Sequence, residues 1–380
     1  MDSKGLIAVL TNNDDDIYCF RKEPIEAFRR VGYDILISCP YGEKFELLSD
    51  IEYIYDNPTI DRRGTSIKHD FSLYRHYLKL FKTYKPDIVL TFTSKPNVFG
   101  GMAARRLKIP FISNVTGFGS VLNKSGFMKK FIMTLFKFVY KKAACVMVQN
   151  SANYEYLLRE KMIKGDSVLI PGSGVALNRF PVQAYPDGGD GLTGDKIIFN
   201  YIGRVLHDKG IDDYIAAAEI IKGKYPNTEF NVIGFIEPTE NHYEEEFEKL
   251  SQRGIVYYRG SQKDVKPWIS RSHAIIHPST YGEGMSNVLL ENAASGRPII
   301  TTDNPGCYET VINGESGYIY KCGDVNELVE KVEIFLSLDN MKRTQMGLIG
   351  RKHVEENFSR EIVIKAYLEK IEKYSNKAKN

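Results

Sequence analysis

The stretch from Ile275 to Ile300, IIHPSTYGEGMSNVLLENAASGRPII, admits few folds. An apolar run, a polar glycine-rich turn, a short helical pattern, a Gly-Arg-Pro break and a second apolar run make a β-α-β unit. Such a unit sets two parallel strands in one sheet with the helix packed upon it. The turn carries Gly282, Glu283 and Gly284, and the helix that opens near Ser286 carries a second acid, Glu291, eight positions after the first. The amides of Gly284, Met285 and Ser286, with Asn287 in the first turn, lie where a helix leaves its N–H groups unpaired, so donors and dipole together favour an anion, phosphate above all. Glu291 stands among Val288, Leu289, Leu290, Ala293 and Ala294. A carboxylate in that company is costly unless something hydrogen-bonds it, whether ribose hydroxyls, a backbone amide or an arginine.

The same alternation runs through the rest of the chain. Strands are predicted near Leu6 to Leu10, Asp34 to Ser38 and Asp87 to Thr91, with helices near Pro24 to Val31 and Ser72 to Thr83 between them, which implies a parallel sheet. After the strands CVMVQN and VLIPGSGV, the segment YPDGGDGLTGD reads as a linker, and IIFNYIGR restarts the pattern. A chain of 380 residues exceeds one ordinary core. Three parts are therefore expected: residues 1–184, residues 195–356, and a final helical piece, 357–380, whose helix from Ser359 to about Tyr374 opens on a good N-cap.

Charge divides along the same line. Residues 1 to 185 hold 27 Lys or Arg against 18 Asp or Glu, while residues 186 to 380 hold 24 against 30. A basic half suits nucleic acid, an anionic membrane or a pyrophosphate. No groove of interleaved aromatic and basic residues appears, so nucleic acid is not expected as a partner. Five widely spaced cysteines without a C-x-x-C pair point to neither a disulfide framework nor a zinc site. No signal peptide and no run of about 18 apolar residues is found, so a cytoplasmic protein without a membrane span is expected.

Four further sets of residues carry chemistry. Arg204 and Lys209, five apart around the turn after the restarted first strand, can converge on a diphosphate, the arginine by its planar fork and the lysine as a point charge. Gly203 begins that turn, Gly234 ends the next strand and Gly260 follows the one after. In the first half, Lys95 and Asn97 of SKPN, and Asn114, Thr116, Gly117 and Gly119 of NVTGFG, follow strands at the carboxyl edge where open α/β sheets place ligands; Arg21 in the first loop is a candidate anion contact. Last, FMKKFIMTLFKFVYKK spaces Lys130, Thr134, Lys137 and Lys141 along one narrow strip, with aromatic and aliphatic side chains over most of the remainder. A helix of that kind can lie in the headgroup layer of an anionic membrane, or be a buried helix with solvated lysines.

The E-x7-E stretch, the Arg-x4-Lys pair and the SKPN and NVTGFG loops together closely resemble family 4 of the retaining glycosyltransferases. The resemblance extends over nearly the whole chain and is nearest to bacterial capsular, surface-polysaccharide and lipid-linked-oligosaccharide enzymes. It implies the GT-B fold: two Rossmann-like domains facing across a cleft, with the C-terminal helix crossing back to the N-terminal domain. By resemblance Glu283 contacts the donor sugar, Glu291 the ribose, and Arg204 and Lys209 the pyrophosphate. The implied reaction moves a hexose or N-acetylhexosamine from a UDP-sugar to an undecaprenyl-pyrophosphate-linked or similar glycan at the cytoplasmic face of the inner membrane, with retention and without a metal or other cofactor. A sugar-nucleotide epimerase, or a transferase with a soluble acceptor on the same fold, is the alternative. The chain departs from the family in two places: the first loop, TNNDDDIYCFR, lacks a Gly-Gly pair, and Ser94 or Lys95 stands where many relatives carry histidine.

Overall fold

The computed structural model describes residues 3–61, 66–117, 126–186, 196–282 and 284–375, apart from the side chains of Ile67, Phe127 and Met128. The chain divides into two compact units, Met1–Gly174 with Arg360–Asn380, and Val175–Ser359.

The first unit is built on seven parallel strands: β1 (Leu6–Leu10), β2 (Asp34–Ser38), β3 (Ile54–Asp56), β4 (Ile88–Thr91), β5 (Phe111–Val115), β6 (Cys145–Val148) and β7 (Asp166–Leu169). They lie in the order β3-β2-β1-β4-β5-β6-β7. Strands such as IAVL and CVMV are apolar at every position because both faces of this sheet are covered. Alternation separates the faces: Ile7 and Val9 belong to one core cluster, Ala8 and Leu10 to the other. The second cluster takes in Tyr77 and Phe81 from the helix Ile67–Tyr84, Ala103 and Ala104 from Gly101–Leu107, and Phe136, Val139 and Tyr140 from Gly126–Tyr140.

The opposite face carries the helices Lys22–Arg30 and Arg360–Ser375. Val363, Tyr367 and Ile371 of the latter are fully buried there. The Tyr367 ring meets Phe28 and Phe92 edge-on, with centroids 6.2 and 6.1 Å away. Arg360 pairs with Glu23 at 2.7 Å, and Asp166 accepts hydrogen bonds from Lys370, Lys373 and Tyr374 at 3.1, 2.8 and 2.9 Å.

The second unit holds six parallel strands, β8 (Ile197–Ile202), β9 (Thr228–Ile233), β10 (Tyr257–Tyr258), β11 (Ala274–His277), β12 (Ile299–Thr302) and β13 (Gly317–Tyr320), ordered β10-β9-β8-β11-β12-β13. In this order sequence neighbours run outward from β8 on one side and from β11 on the other. The loops after β8 and β11 therefore leave the sheet in opposite directions, and the crevice at their carboxyl ends is where such sheets take ligands.

The first crossing between the units falls at Gly174–Val175, about ten residues before the expected position 184. The reason is packing: Val175, Leu177 and Phe180 join an apolar cluster of the second unit. Arg297, 1% exposed, then donates to the carbonyls of Gln183 and Ala184 at 3.2 and 2.7 Å, binding the end of this segment. Positions 187–195 of the expected linker lie outside the described residues.

Candidate functional site

In the second unit, three glycines follow three neighbouring strands and their backbones touch. The Gly203 N–H donates to the Ile233 carbonyl and the Gly234 N–H to the Gly260 carbonyl, each at 2.9 Å. A Cβ on Gly234 would run into the Gly203 carbonyl oxygen, so only glycine permits this approach. The result is a partly exposed edge of bare backbone after β8, β9 and β10.

The turn after β8 is locked against the loop after β11. Gly210 ends the turn His207–Lys209 at φ +73°, and a side chain there would strike the Pro278 carbonyl. The Thr280 amide and hydroxyl both donate to the Asp208 carbonyl at 3.0 Å. Arg204 and Lys209 are thereby brought to one aromatic ring, that of Tyr281, with the guanidinium 5.8 Å and the ammonium 4.8 Å from its centroid. Arg204 also pairs through Nη1 with Glu237, 2.8 Å away and 3% exposed. Burial works against the Arg204 cation, but the hydrogen bond and charge of Glu237, with Tyr281, hold its pKa above the ordinary value. The two cations therefore share one aromatic neighbour.

Around the E-x7-E stretch the structure changes some expectations. Glu283 lies outside the described residues. Gly282 is half-buried, Gly284 buried, and Met285 turns its side chain into the core. The Ser286 amide is not open to an anion: it donates to the Gly306 carbonyl at 2.8 Å, and its hydroxyl lies 3.2 Å from His277 Nε2. The loop after β12 thus occupies a donor that helix geometry alone would leave unpaired. The helix Asn287–Ala294 buries Leu289, Leu290, Ala293 and Ala294, whereas Asn287, Val288 and Glu291 share a half-exposed strip. Glu291 is therefore at the rim of the apolar body rather than within it.

The first unit departs further from expectation. Arg21 is 1% exposed, its guanidinium 4.0 Å above the Phe92 ring and bonded to Ser173 Oγ and Asp16 at 3.1 and 3.4 Å. It braces the carboxyl edge from inside instead of presenting a cation. Asn97 and Asn114 are buried too. Asn97 accepts from the Thr91 hydroxyl at 2.6 Å and donates to the Asn114 carbonyl at 2.8 Å. Asn114 donates to the Thr91 carbonyl at 3.1 Å and accepts from Tyr367 Oη at 2.6 Å. Both amides tie β4, β5 and the C-terminal helix together, which corrects their reading as ligand contacts. Lys95 is held by Asp70 at 2.6 Å. Thr116 and Gly117, the latter at φ +102°, remain half-buried at the strand edge, and Gly119 lies outside the described residues.

The helix Gly126–Tyr140 is neither wholly core nor wholly surface. Phe136, Val139 and Tyr140 are buried, while Phe131 and Phe138 are 49% and 48% exposed beside exposed Lys130, Thr134 and Lys141. Lys137 instead donates to the Glu160 carbonyl at 2.7 Å. Arg105 stacks on Phe138 at 3.9 Å. No described helix is long and apolar enough to cross a membrane.

Known proteins share this architecture. Residues 189–353 match the family model Glycosyl transferases group 1, and residues 7–150 match Glycosyl transferase 4-like. The chain is a glycosyltransferase. It is 27% identical over 346 residues to the capsular polysaccharide biosynthesis glycosyltransferase CapM of Staphylococcus aureus, covering 89% of this chain and 90% of that one. It is 26% identical over 352 residues to the N,N'-diacetylbacillosaminyl-diphospho-undecaprenol alpha-1,3-N-acetylgalactosaminyltransferase of Campylobacter jejuni, covering 88% and 90%. Among solved structures, Anabaena Alr3699/HepE in complex with UDP and glucose superposes with a TM-score of 0.79 at 16% identity, over 97% of this chain and 100% of that one. The expected fold class, GT-B with two parallel-sheet α/β domains, is the observed one.

Neither Tyr281 nor Glu237 stands out in the sequence of this glycosyltransferase. Tyr281 is one aromatic in a loop, and Glu237 becomes significant only when β9 is laid beside β8. A weaker signal is present after β12, where Thr301 and Thr302 precede Asp-Asn-Pro-Gly. The two hydroxyls donate to the His277 and Ser279 carbonyls, each at 2.8 Å, and Asn304 Nδ2 donates to the Tyr281 carbonyl at 2.5 Å. Strand-end threonines followed by a turn are readable as a support for the neighbouring loop.

Proposed function

We propose that this glycosyltransferase acts with retention, moving a hexose or N-acetylhexosamine from a UDP-sugar to an undecaprenyl-diphosphate-linked or similar glycan in bacterial surface-polysaccharide assembly. The observation that carries the reading is the meeting of Arg204 and Lys209 over Tyr281, beside the bare glycine edge at the switch point of the second sheet. A diphosphate presents two negative groups to such a pair, and the charge that develops as it departs is what fixed cations stabilise best. Protein cations stand in place of a metal in this scheme. The acceptor oxygen bonds to the anomeric carbon as the bond from that carbon to the diphosphate oxygen breaks, and the acceptor proton passes to the released phosphate. Glu283 holds the hydroxyls of the donor sugar and Glu291, at the helix rim, the ribose.

The relatives support the acceptor class: one is named for capsular polysaccharide and one for a diphospho-undecaprenol substrate. HepE, of the same fold, was solved with UDP. For attachment at the cytoplasmic face, the outward strip of Gly126–Tyr140 offers Lys130 and Lys141 to anionic headgroups and Phe131 and Phe138 to the layer beneath. A donor screen by UDP release, run with extracted lipid-linked intermediates, tests the proposal. Turnover with at least one UDP-sugar that depends on added lipid-linked acceptor is expected. Equal turnover on soluble glycans, or interconversion of the donor without transfer, would replace it with the soluble-acceptor or epimerase reading.

A further inference from the structure

Arg204 and Lys209 are like charges in one short turn, so each raises the cost of bringing the other close. Their common neighbour is the Tyr281 ring, within the roughly 6 Å at which an aromatic face attracts a cation. The backbone that carries this ring is held by groups other than the two cations. The Tyr281 N–H donates to Ser279 Oγ at 3.2 Å, its carbonyl accepts from Asn304 at 2.5 Å, and the Ser279 carbonyl is itself held by Thr302 at 2.8 Å. On the far side, buried Glu237 takes one edge of the Arg204 guanidinium at 2.8 Å.

We propose that Tyr281 is a positioning residue: its π face gathers the Arg204 and Lys209 cations before the donor arrives, with Glu237 fixing the arginine plane, so that the diphosphate meets a pair already assembled. A lysine on its four-carbon stem has many conformers, and an aromatic face that restricts them lowers the ordering cost of binding. The same face offsets the repulsion between the cations. The proposal rests on the UDP-sugar reading above and adds to it a residue that need not touch the nucleotide.

The test separates ring electronics from ring shape. UDP affinity is measured by calorimetry for the wild type, for Tyr281→Phe, for Tyr281→Leu, and for the full-length protein carrying 3,4,5-trifluorophenylalanine at 281, in which the π face is depleted of charge at nearly constant shape. Expected are a Kd within about threefold of wild type for Phe, and a further three- to tenfold weakening for the fluorinated ring. Leu is expected to cost at least about tenfold, and adding Tyr281→Leu to Lys209→Ala to cost under about threefold more, since the lysine is one of the groups through which the ring acts. A fluorinated ring that binds UDP as well as Phe does would overturn the proposal. That pair decides the matter even if the Leu variant fails to fold. A wild type that binds no UDP at all sinks the donor reading itself, a result that no comparison among the variants can mimic.

Discussion

At the scale of single residues, polar side chains at strand ends divide into two kinds that look alike in a sequence. Arg204 and Lys209 reach a partly open edge, whereas Arg21, Asn97 and Asn114 are spent inside the fold. Asn114 is satisfied by Tyr367, 253 residues further on, and no local pattern announces such a partner. The cation pair was legible because spacing within one turn determines it, and each edge glycine because it follows its own strand; the buried asparagines were not, because their partners come from other elements. Lys209→Ala should lower kcat more than it raises the donor KM, by on the order of 2 to 4 kcal/mol in the transition state. Steady-state kinetics within threefold of wild type would remove Lys209 from the clamp. For the carboxylates, Glu291→Gln should weaken binding of UDP alone, while Glu283→Gln should leave UDP binding nearly intact and impair transfer. Calorimetry with UDP separates the two, and equal losses in both variants would show the roles to be misassigned.

At the scale of elements, the strands were the most readable part. A strand covered on both faces must be apolar throughout, and IAVL, ILIS and IVLT are nearly so. Helix limits were less so: the helix expected over Ser72 to Thr83 runs from Ile67 to Tyr84. The helix Gly126–Tyr140 could not be resolved by periodicity alone, because its buried face and its exposed face both carry phenylalanine. Its exposed strip has a measurable consequence. Each lysine near an anionic leaflet contributes about 1 kcal/mol, so charge reversal at Lys130 and Lys141 should abolish sedimentation with anionic vesicles at low salt. The melting temperature and UDP affinity of that variant should not change, since both ammonium groups are exposed. A wild type indifferent to such vesicles removes the membrane reading and leaves the nucleotide site untouched.

At the scale of the whole molecule, the chain enters the second unit at Val175 and leaves it at Ser359, so the first unit is assembled from both ends of the described sequence. Asp166 is one clasp between those ends. Burial works against its carboxylate, but hydrogen bonds from Lys373, Lys370 and Tyr374 outweigh that and hold its pKa well below the usual range. A carboxyl depressed by folding stabilises above its unfolded pKa, about 3.9, and that contribution is lost as pH falls through this value toward the folded one. Wild type should therefore lose melting temperature more steeply below about pH 4 than Asp166→Asn does; parallel curves would show the clasp to be energetically idle. The helix Arg360–Ser375 matters more. Val363 and Ile371 are fully buried, and a buried aliphatic contributes about 1.5 to 3 kcal/mol, against a typical domain stability of about 5 to 15 kcal/mol. During synthesis the second unit, one unbroken span, can close as soon as Ser359 has cleared the ribosome. The first unit, though begun earlier, must wait with part of one face of its sheet uncovered until the helix Arg360–Ser375 has been made, so the half translated first is the half that folds last.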